Sequence, residues 1–222
     1  MKLVCFDLDG TLVDSVEDIR GGLRAAFAAV PPAGPRDDEA IALAGYGLPL
    51  EEFFAHARAP GHPHHGVEGE ARFVEAYKAH YGRHLLDRTR PFEGVEAMLA
   101  ALHAQPDVRL AIATTKRSET ARKVVDGLGL GRYFHRVQGS EGLRPKPAPD
   151  VLLAIAEALS LDRAGRAGAI MVGDTTRDVE AAHAAGMRSC AVAWGETGLE
   201  RLRAAGPHAI ALHPRDVLGF IA

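Results

Sequence analysis

Cysteines are scarce in this sequence and are not arranged as a metal site or a disulfide framework. The 222 residues contain two, Cys5 and Cys190, and each lies inside an apolar run without a Cys-x-x-Cys spacing. Isolated cysteines in such surroundings usually act as small buried hydrophobic side chains. The sequence therefore excludes zinc-finger and disulfide-rich classes of protein.

Long apolar runs and blocks of one charge are also missing. No run approaches the roughly 20 apolar residues that span a bilayer, and the opening MKLVCFDLDG reaches acidic residues too early for a secretory signal. The net charge is −3, from 26 basic and 29 acidic residues, with no block rich in lysine and arginine. We therefore predict a cytoplasmic protein that binds neither membranes nor nucleic acid.

Alternating strand and helix patterns are abundant in this chain. Hydrophobic residues make up 47% and charged residues 25%, as in an ordinary globular protein. Strand-like apolar runs at 2–6, 108–113, 135–138, 169–172, 189–193 and 208–212 are separated by helical patterns in the second half of the chain. This alternation predicts an α/β fold, with a parallel sheet and helices on both faces.

One stretch shows helical patterns alone. From residue 15 to about residue 90 no convincing strand occurs, and breaker-rich segments lie at 31–35 and 59–66. We therefore predict a core made of residues 1–14 and 91–222, with an all-helical insert at 15–90. The histidine run His62–His65 lies in the second breaker segment, and we interpret it as solvated loop residues and not as a metal site.

Polar side chains follow the predicted strands at their carboxyl ends, where ligands bind in open parallel sheets. Each has an ordinary explanation by itself, as a turn residue, a helix cap or a surface lysine. Two carboxylates beside an apolar run are harder to explain this way, because burying them costs several kcal/mol without a compensating cation. The residues are Asp7 and Asp9, Thr114 and Thr115, Lys146, Asp174 and Asp178.

Four short motifs resemble those of the haloacid dehalogenase-like superfamily. They are DLDGTLVDS at 7–15, the threonine at 114, RPKPAPD at 144–150 and GDTTRD at 173–178. The resemblance runs over essentially the whole chain and is closest to phosphoglycolate-phosphatase-like members. It implies a Rossmann-like core with a helical cap inserted after the first motif, in agreement with the strandless stretch.

The resemblance also implies a role for each matched residue. Asp7 would be the nucleophile that becomes an aspartyl-phosphate, and Asp9 the general acid and base. Magnesium (Mg²⁺) would be bound by the carboxylates of Asp7 and Asp174 and by the main-chain oxygen of Asp9. The remaining implied roles are phosphate contacts by Gly10, Thr114, Thr115 and Lys146, and support of Lys146 or the metal site by Asp178.

The implied substrate is a small phosphorylated metabolite, such as phosphoglycolate or a sugar phosphate, bound by a monomer or homodimer. The turn Gly45-Tyr46-Gly47 would act as a specificity loop of the cap, unless its glycines merely terminate a helix. The presence of Asp9 argues against a dehalogenase. A β-phosphoglucomutase-like transferase and a catalytically silent binding scaffold stay open as alternatives.

Overall fold

A computed structural model describes residues 1–30, 50, 54 and 67–221 of the chain. The chain forms two compact units, one made of Met1–Asp14 and Arg90–Ala222 and the other of Ser15–Thr89. The candidate loop Gly45-Tyr46-Gly47 and the His62–His65 run lie outside the described residues. Both interpretations therefore stay predictions.

The larger unit is built on a parallel sheet. Its strands are β1 (Lys2–Phe6), β4 (Val108–Ala113), β5 (Arg136–Gln138), β6 (Ile170–Gly173), β7 (Arg188–Val192) and β8 (Ala209–Ala211). They form a six-stranded sheet in the order β5-β4-β1-β6-β7-β8, and every neighbouring pair is parallel. The prediction of a Rossmann-like α/β fold is confirmed, and the carboxyl ends of all six strands share one edge.

Helices connect the strands of this unit. They are α3 (Val95–His103), α4 (Ser118–Gly127), α5 (Asp150–Ala158), α6 (Arg163–Ala167), α7 (Thr176–Ala185), α8 (Leu199–Ala204) and α9 (Pro214–Ile221). A short 3₁₀ turn covers Gly131–Tyr133. Within the described ranges, no helix combines the length and the apolarity that crossing a membrane requires.

The central strands are largely apolar because helices cover both of their faces. In β1, all four residues from Leu3 to Phe6 are fully buried. Alternate residues point to opposite faces, so Leu3 and Cys5 join one core cluster with Ile155 of α5 and Ala181 of α7. This packing fixes the position of the residues that follow β1 at the sheet edge.

A second sheet, made of two antiparallel strands, links the two parts of the larger unit. It joins β2 (Val13–Asp14) to β3 (Arg90–Pro91). Each strand is two residues long, which is too short for any periodic pattern, so the sequence did not predict the pair. It brings the chain together where the second unit begins and ends.

The smaller unit contains α1 (Val16–Ala29) and α2 (Val67–His84). Phe73 lies at the centre of its core, with ring centroids 5.0 Å from Phe27 and 5.2 Å from Phe54. The buried carboxylate of Asp18 accepts hydrogen bonds from the Arg88 and Thr89 N–H groups and ties the end of the unit to its beginning. In the described part of this unit, secondary structure is helical and no strand occurs.

Candidate active site

Asp7 lies at the carboxyl edge of the sheet, directly after β1. Its main-chain N–H donates to the Val172 carbonyl oxygen of β6 at 2.8 Å, which continues the strand ladder by one residue. The Asp7 residue is 8% exposed, so its carboxylate is held in a largely dehydrated position. Burial raises the pKa of this carboxyl group to about 7, although the neighbouring Lys146 opposes the shift.

Lys146 provides the positive charge beside Asp7. Its Nζ atom lies 2.9 Å from Asp7 Oδ1 and 2.5 Å from Asp178 Oδ1, and it donates to the Ala113 carbonyl oxygen at 3.0 Å. Burial disfavours the charged amine, but the two carboxylates outweigh this effect and raise the pKa of Lys146. The three contacts match the three protons of an ammonium group, which therefore has a fixed position.

Asp178 connects this lysine to the start of α7. Its Oδ2 atom accepts from the Thr175 N–H at 3.0 Å and from the Thr175 hydroxyl at 2.7 Å. Thr175 in turn caps the helix, so the two residues form a reciprocal capping box. A Cβ added at Gly173 would collide with the Asp178 carboxylate. The structure thus places Asp178 in direct contact with Lys146, and its supporting role stays a prediction.

Asp174 is completely buried at the end of β6. Its Oδ1 atom accepts from the Thr11 hydroxyl at 3.0 Å, and its Oδ2 atom accepts from the Glu196 N–H at 3.2 Å. A Cβ added at Gly195 would collide with Asp174. Burial and the nearby Asp7 charge raise the pKa of Asp174 well above its usual range.

The cluster of carboxylates fits a divalent cation. Asp7, Asp174 and Asp178 each offer an oxygen atom within 4.8 Å of the others, all three residues being buried. Burial is the main cause of the raised pKa values of Asp7 and Asp174, and at Asp7 the charge of Lys146 does not cancel it. Ligands that are all oxygen suit a hard cation such as Mg²⁺ better than zinc.

Gly10 lies at a position where both the backbone and a neighbouring side chain favour glycine. Its φ is +79°, and an added Cβ would collide with the Asp174 carboxylate. Its N–H donates to the Val13 carbonyl oxygen at 2.9 Å and closes the turn after Asp9. The phosphate contact predicted for Gly10 stays a prediction, and the close approach of Asp174 is a second reason for a glycine at this position.

Thr114 and Thr115 lie at the end of β4, at the same edge of the sheet as Asp7. Thr114 is buried, its N–H donates to the Gln138 carbonyl oxygen at 3.1 Å, and its hydroxyl oxygen accepts from the Lys116 N–H at 3.2 Å. The Thr115 carbonyl oxygen accepts from the Ser140 hydroxyl at 2.8 Å. These bonds tie the loop after β4 to the loop after β5.

Asp9 forms an ion pair with a lysine that the sequence analysis did not include. The Nζ atom of Lys116 lies 2.6 Å from Asp9 Oδ2, with side-chain exposures of 12% and 15%. Lys116 follows Thr115 in the sequence and therefore emerges at the same sheet edge as Asp9. Its position directly after Thr115 could therefore have identified Lys116 as a candidate site residue.

Thr11 and Gly195 were also missed. Thr11 is part of the first motif and its hydroxyl contacts Asp174, so its place in the motif was a usable signal. Gly195 follows β7 and approaches Asp174 closely. Nothing in the local sequence around Trp194 and Gly195 indicates that approach, because it depends on the packing of two loops.

Comparisons with known proteins bear on this arrangement. A model of the family described as haloacid dehalogenase-like hydrolase matches residues 4–192. A probable phosphatase, IndB of Dickeya dadantii, is 36% identical over 98% of this chain and 92% of its own length. A phosphoglycolate phosphatase of Neisseria meningitidis is 34% identical over 88% of this chain and 81% of its own. The tyrosine-protein kinase PtkA of Mycobacterium tuberculosis is 35% identical over 87% of this chain and 62% of its own.

Solved structures show the same fold. A haloacid dehalogenase-like family hydrolase from Streptococcus pneumoniae superposes with a TM-score of 0.83 at 26% identity, covering 99% of this chain and 98% of its own. A predicted phosphatase from Clostridium acetobutylicum gives 0.84 at 25% identity, covering 99% and 97%. Both likenesses extend over nearly the full length of this chain and of the other protein.

Proposed function

Because the chain belongs to the haloacid dehalogenase-like hydrolase family, we propose that it is a Mg²⁺-dependent phosphatase of small phosphate monoesters. The reaction proceeds through an aspartyl-phosphate on Asp7. The single observation that carries this proposal is the Asp7 carboxylate at the sheet edge, with Lys146 2.9 Å away and further buried carboxylates beside it. An anionic nucleophile among compensating positive charges is what phosphoryl transfer requires.

Asp7 acts as the nucleophile in the first step. Its carboxylate oxygen bonds to phosphorus while the bond between phosphorus and the ester oxygen breaks. The ammonium of Lys146 offsets the repulsion between the carboxylate and the phosphate dianion, and Thr114 and Thr115 lie at the adjacent strand end to contact phosphoryl oxygens. Water then attacks the phosphorus and releases inorganic phosphate and the Asp7 carboxylate.

Magnesium would be held by the carboxylates of Asp7 and Asp174 and by the main-chain oxygen of Asp9. When bound, the ion supplies positive charge that compensates the buried carboxylates and the phosphate. Asp178 has both of its oxygens engaged, by Lys146 and Thr175, so we assign it the positioning of Lys146.

Asp9 handles the protons of both steps. As a carboxylic acid it donates its proton to the departing alkoxide oxygen, and as a carboxylate it then accepts a proton from the attacking water. Its environment differs from that of Asp7, because its side chain pairs with a separate lysine. Two carboxylates in different environments can divide the roles of nucleophile and acid.

The substrate is a small phosphorylated metabolite, and residues 15–90 act as the cap that selects its leaving group. Relatives that are named phosphoglycolate phosphatases support a compact anionic alcohol such as glycolate. The contacts at the sheet edge concern the phosphoryl group, which all monoesters share, so discrimination has to come from other residues. We keep Gly45, Tyr46 and Gly47 as the proposed specificity loop.

The test is phosphate release from p-nitrophenyl phosphate and a panel of phosphorylated metabolites, with Mg²⁺ and with excess EDTA. We expect multiple turnovers with Mg²⁺, none with EDTA, and less than about 1% of wild-type activity for Asp7→Asn, because an amide cannot form the acyl-phosphate. Turnover by Asp7→Asn, or full activity of the metal-stripped enzyme, would refute the proposal. Conversion of a sugar phosphate to its isomer without phosphate release would favour the mutase alternative.

A further inference from the structure

We infer that Lys116 is a positioning residue for the proton-transferring carboxylate of Asp9. The inference rests on the proposed function, because it takes from there the role of Asp9. The contact that supports it is not one of the contacts around Asp7: the Lys116 Nζ atom lies 2.6 Å from Asp9 Oδ2. A general acid has to be held within hydrogen-bond reach of the atom that it protonates, and Asp9 stands directly before the turn at Gly10, outside the six-stranded sheet.

The backbone of Lys116 is held from both sides. Its N–H donates to the Thr114 hydroxyl oxygen at 3.2 Å, and its carbonyl oxygen accepts from the Ser140 N–H at 3.3 Å. The Ser140 hydroxyl binds the Thr115 carbonyl oxygen at 2.8 Å. The side chain of Lys116 therefore starts from a fixed point, and its long stem is only 12% exposed.

The loop after β5 closes tightly on this lysine. A Cβ added at Gly139 would collide with the Lys116 carbonyl oxygen and with the Ser118 N–H. Ser118 itself is fixed, since its hydroxyl accepts from the Gly139 N–H at 2.7 Å and its N–H donates to Glu141 at 3.0 Å. A chain of contacts thus leads from the β5 loop through Lys116 to Asp9.

One hydrogen bond serves Asp9 in both of its protonation states. The Lys116 ammonium donates to Oδ2, and this oxygen remains an acceptor when the proton of the carboxylic acid is on Oδ1. Oδ1 then gives its proton to the alkoxide in the first step and takes one from water in the second. Lys116 keeps its own protons throughout, so it positions the carboxyl group without exchanging a proton with the substrate.

The dependence of the rate on the leaving group tests this role. A p-nitrophenolate ion is stable and leaves without protonation, whereas an alkoxide needs the proton from Asp9. For Lys116→Met we expect kcat/KM for 2-phosphoglycolate, or the alkyl ester that the panel ranks first, to fall roughly 10- to 100-fold, as part of the 10²–10⁴ typical of general acid catalysis. For p-nitrophenyl phosphate we expect kcat/KM to change by less than about threefold, because kcat/KM reports phosphorylation of Asp7 and not the later attack of water, in which both esters need Asp9 as the base.

Three further variants make the result specific. Lys123→Met on α4 removes an exposed lysine that pairs with Glu119 at 2.8 Å and should change neither substrate. Lys116→Arg retains a donor and should recover much of the alkyl ester activity. Asp9→Asn should show the same leaving-group dependence as Lys116→Met, and the double variant should lose little beyond Asp9→Asn alone, because both changes remove one function.

Each alternative result has one meaning. Equal losses of kcat/KM for both esters in Lys116→Met would show that Lys116 binds the phosphate, and would overturn its positioning role. Additive losses of kcat/KM for the alkyl ester in the double variant would also overturn the positioning role, because the two residues would then act independently. If Asp9→Asn shows no leaving-group dependence, the acid role of Asp9 in the proposed function fails, and this inference fails with it. If Asp9→Asn shows the leaving-group dependence and Lys116→Met does not, only the inference on Lys116 is wrong.

Discussion

Two lysine–aspartate pairs lie at the carboxyl edge of the sheet, and they differ in how they are surrounded. The Lys146–Asp178 pair is 2.5 Å long, with side-chain exposures of 3% and 2%. The Lys116–Asp9 pair is 2.6 Å long but has exposures of 12% and 15%. Asp178 also binds the capping threonine of α7, so the first pair is built into the core, whereas the second joins two loops.

The difference corresponds to different tasks in the proposed reaction. A buried, fully bonded lysine provides a charge that stays in one place while the phosphoryl group moves. A carboxylate that exchanges protons needs access to the leaving group and to water, and it therefore needs a more open position. The comparison predicts that removing the two lysines has unequal consequences for both catalysis and folding.

Replacing Lys146 should have the largest effect of these changes. In Lys146→Met, Asp7 and Asp178 keep their buried charges without a cation, and breaking a buried pair in this way costs about 3–5 kcal/mol. We also expect kcat to fall by about 100- to 1000-fold for alkyl and aryl esters alike, because phosphoryl contacts are common to both. Urea denaturation and parallel assays with 2-phosphoglycolate and p-nitrophenyl phosphate measure the two effects.

The comparison breaks if Lys146→Met and Lys116→Met behave alike. A stable Lys146→Met protein, or one that discriminates between leaving groups, would mean that the core position of Lys146 has no special role. Lys146→Arg is the matched variant, since it keeps the charge but cannot reproduce the three-proton geometry around Asp7, Asp178 and Ala113. We expect it to recover stability more than activity.

Removal of the metal should give a smaller effect, on stability. Mg²⁺ at 100 times its Kd would stabilise the folded protein by about 2.7 kcal/mol, which raises Tm by roughly 5–10 °C for a chain of this size. We expect Asp174→Asn to abolish this increase, because the amide cannot replace a buried anionic ligand. Glu200→Gln is a control, as Glu200 lies in an exposed ion pair with Arg203. An undiminished Mg²⁺ response in Asp174→Asn would contradict the assignment.

The same experiment depends on pH in a defined direction. The pKa of Asp7 is raised from 3.8 to about 7 by burial, so between these values the folded state holds a proton that the unfolded state has released. The free energy of unfolding of the metal-free protein therefore falls as pH rises through this window. Mg²⁺ has to displace that proton at low pH, and we expect its effect on Tm to be larger at pH 8 than at pH 5.5.

Much of the fold was predictable because the sheet is buried on both faces. Its strands are short apolar runs separated by helical patterns, and the runs predicted at 2–6 and 108–113 have those bounds in the structure. The strand pair β2–β3 and the five-residue helix α6 were not predicted, since elements of that length are too short to show a periodic pattern of apolar residues. The family resemblance, drawn from four motifs, is confirmed by the family match over residues 4–192.

The site was predictable where a residue follows a strand. Asp7 and Asp174 meet because parallel strands end at one edge, as the alternating pattern implied, and Lys146 reaches Asp7 from the loop before α5. Lys116 and Gly195 were not found, because their contacts depend on how separate loops close on one another. The crowding of Gly10 by Asp174 was not predicted, because it comes from a residue far away in the sequence.

The central claim is that a covalent phosphoryl group forms on Asp7, and chemical trapping tests it most directly. The wild-type enzyme is mixed with substrate and Mg²⁺, quenched in acid within one turnover and treated with borohydride, which reduces an aspartyl-phosphate to homoserine. Mass spectrometry of the N-terminal peptide should find homoserine at position 7, dependent on substrate and absent in Asp7→Asn. Steady phosphate release with an unmodified Asp7, or homoserine at position 9, would contradict the account.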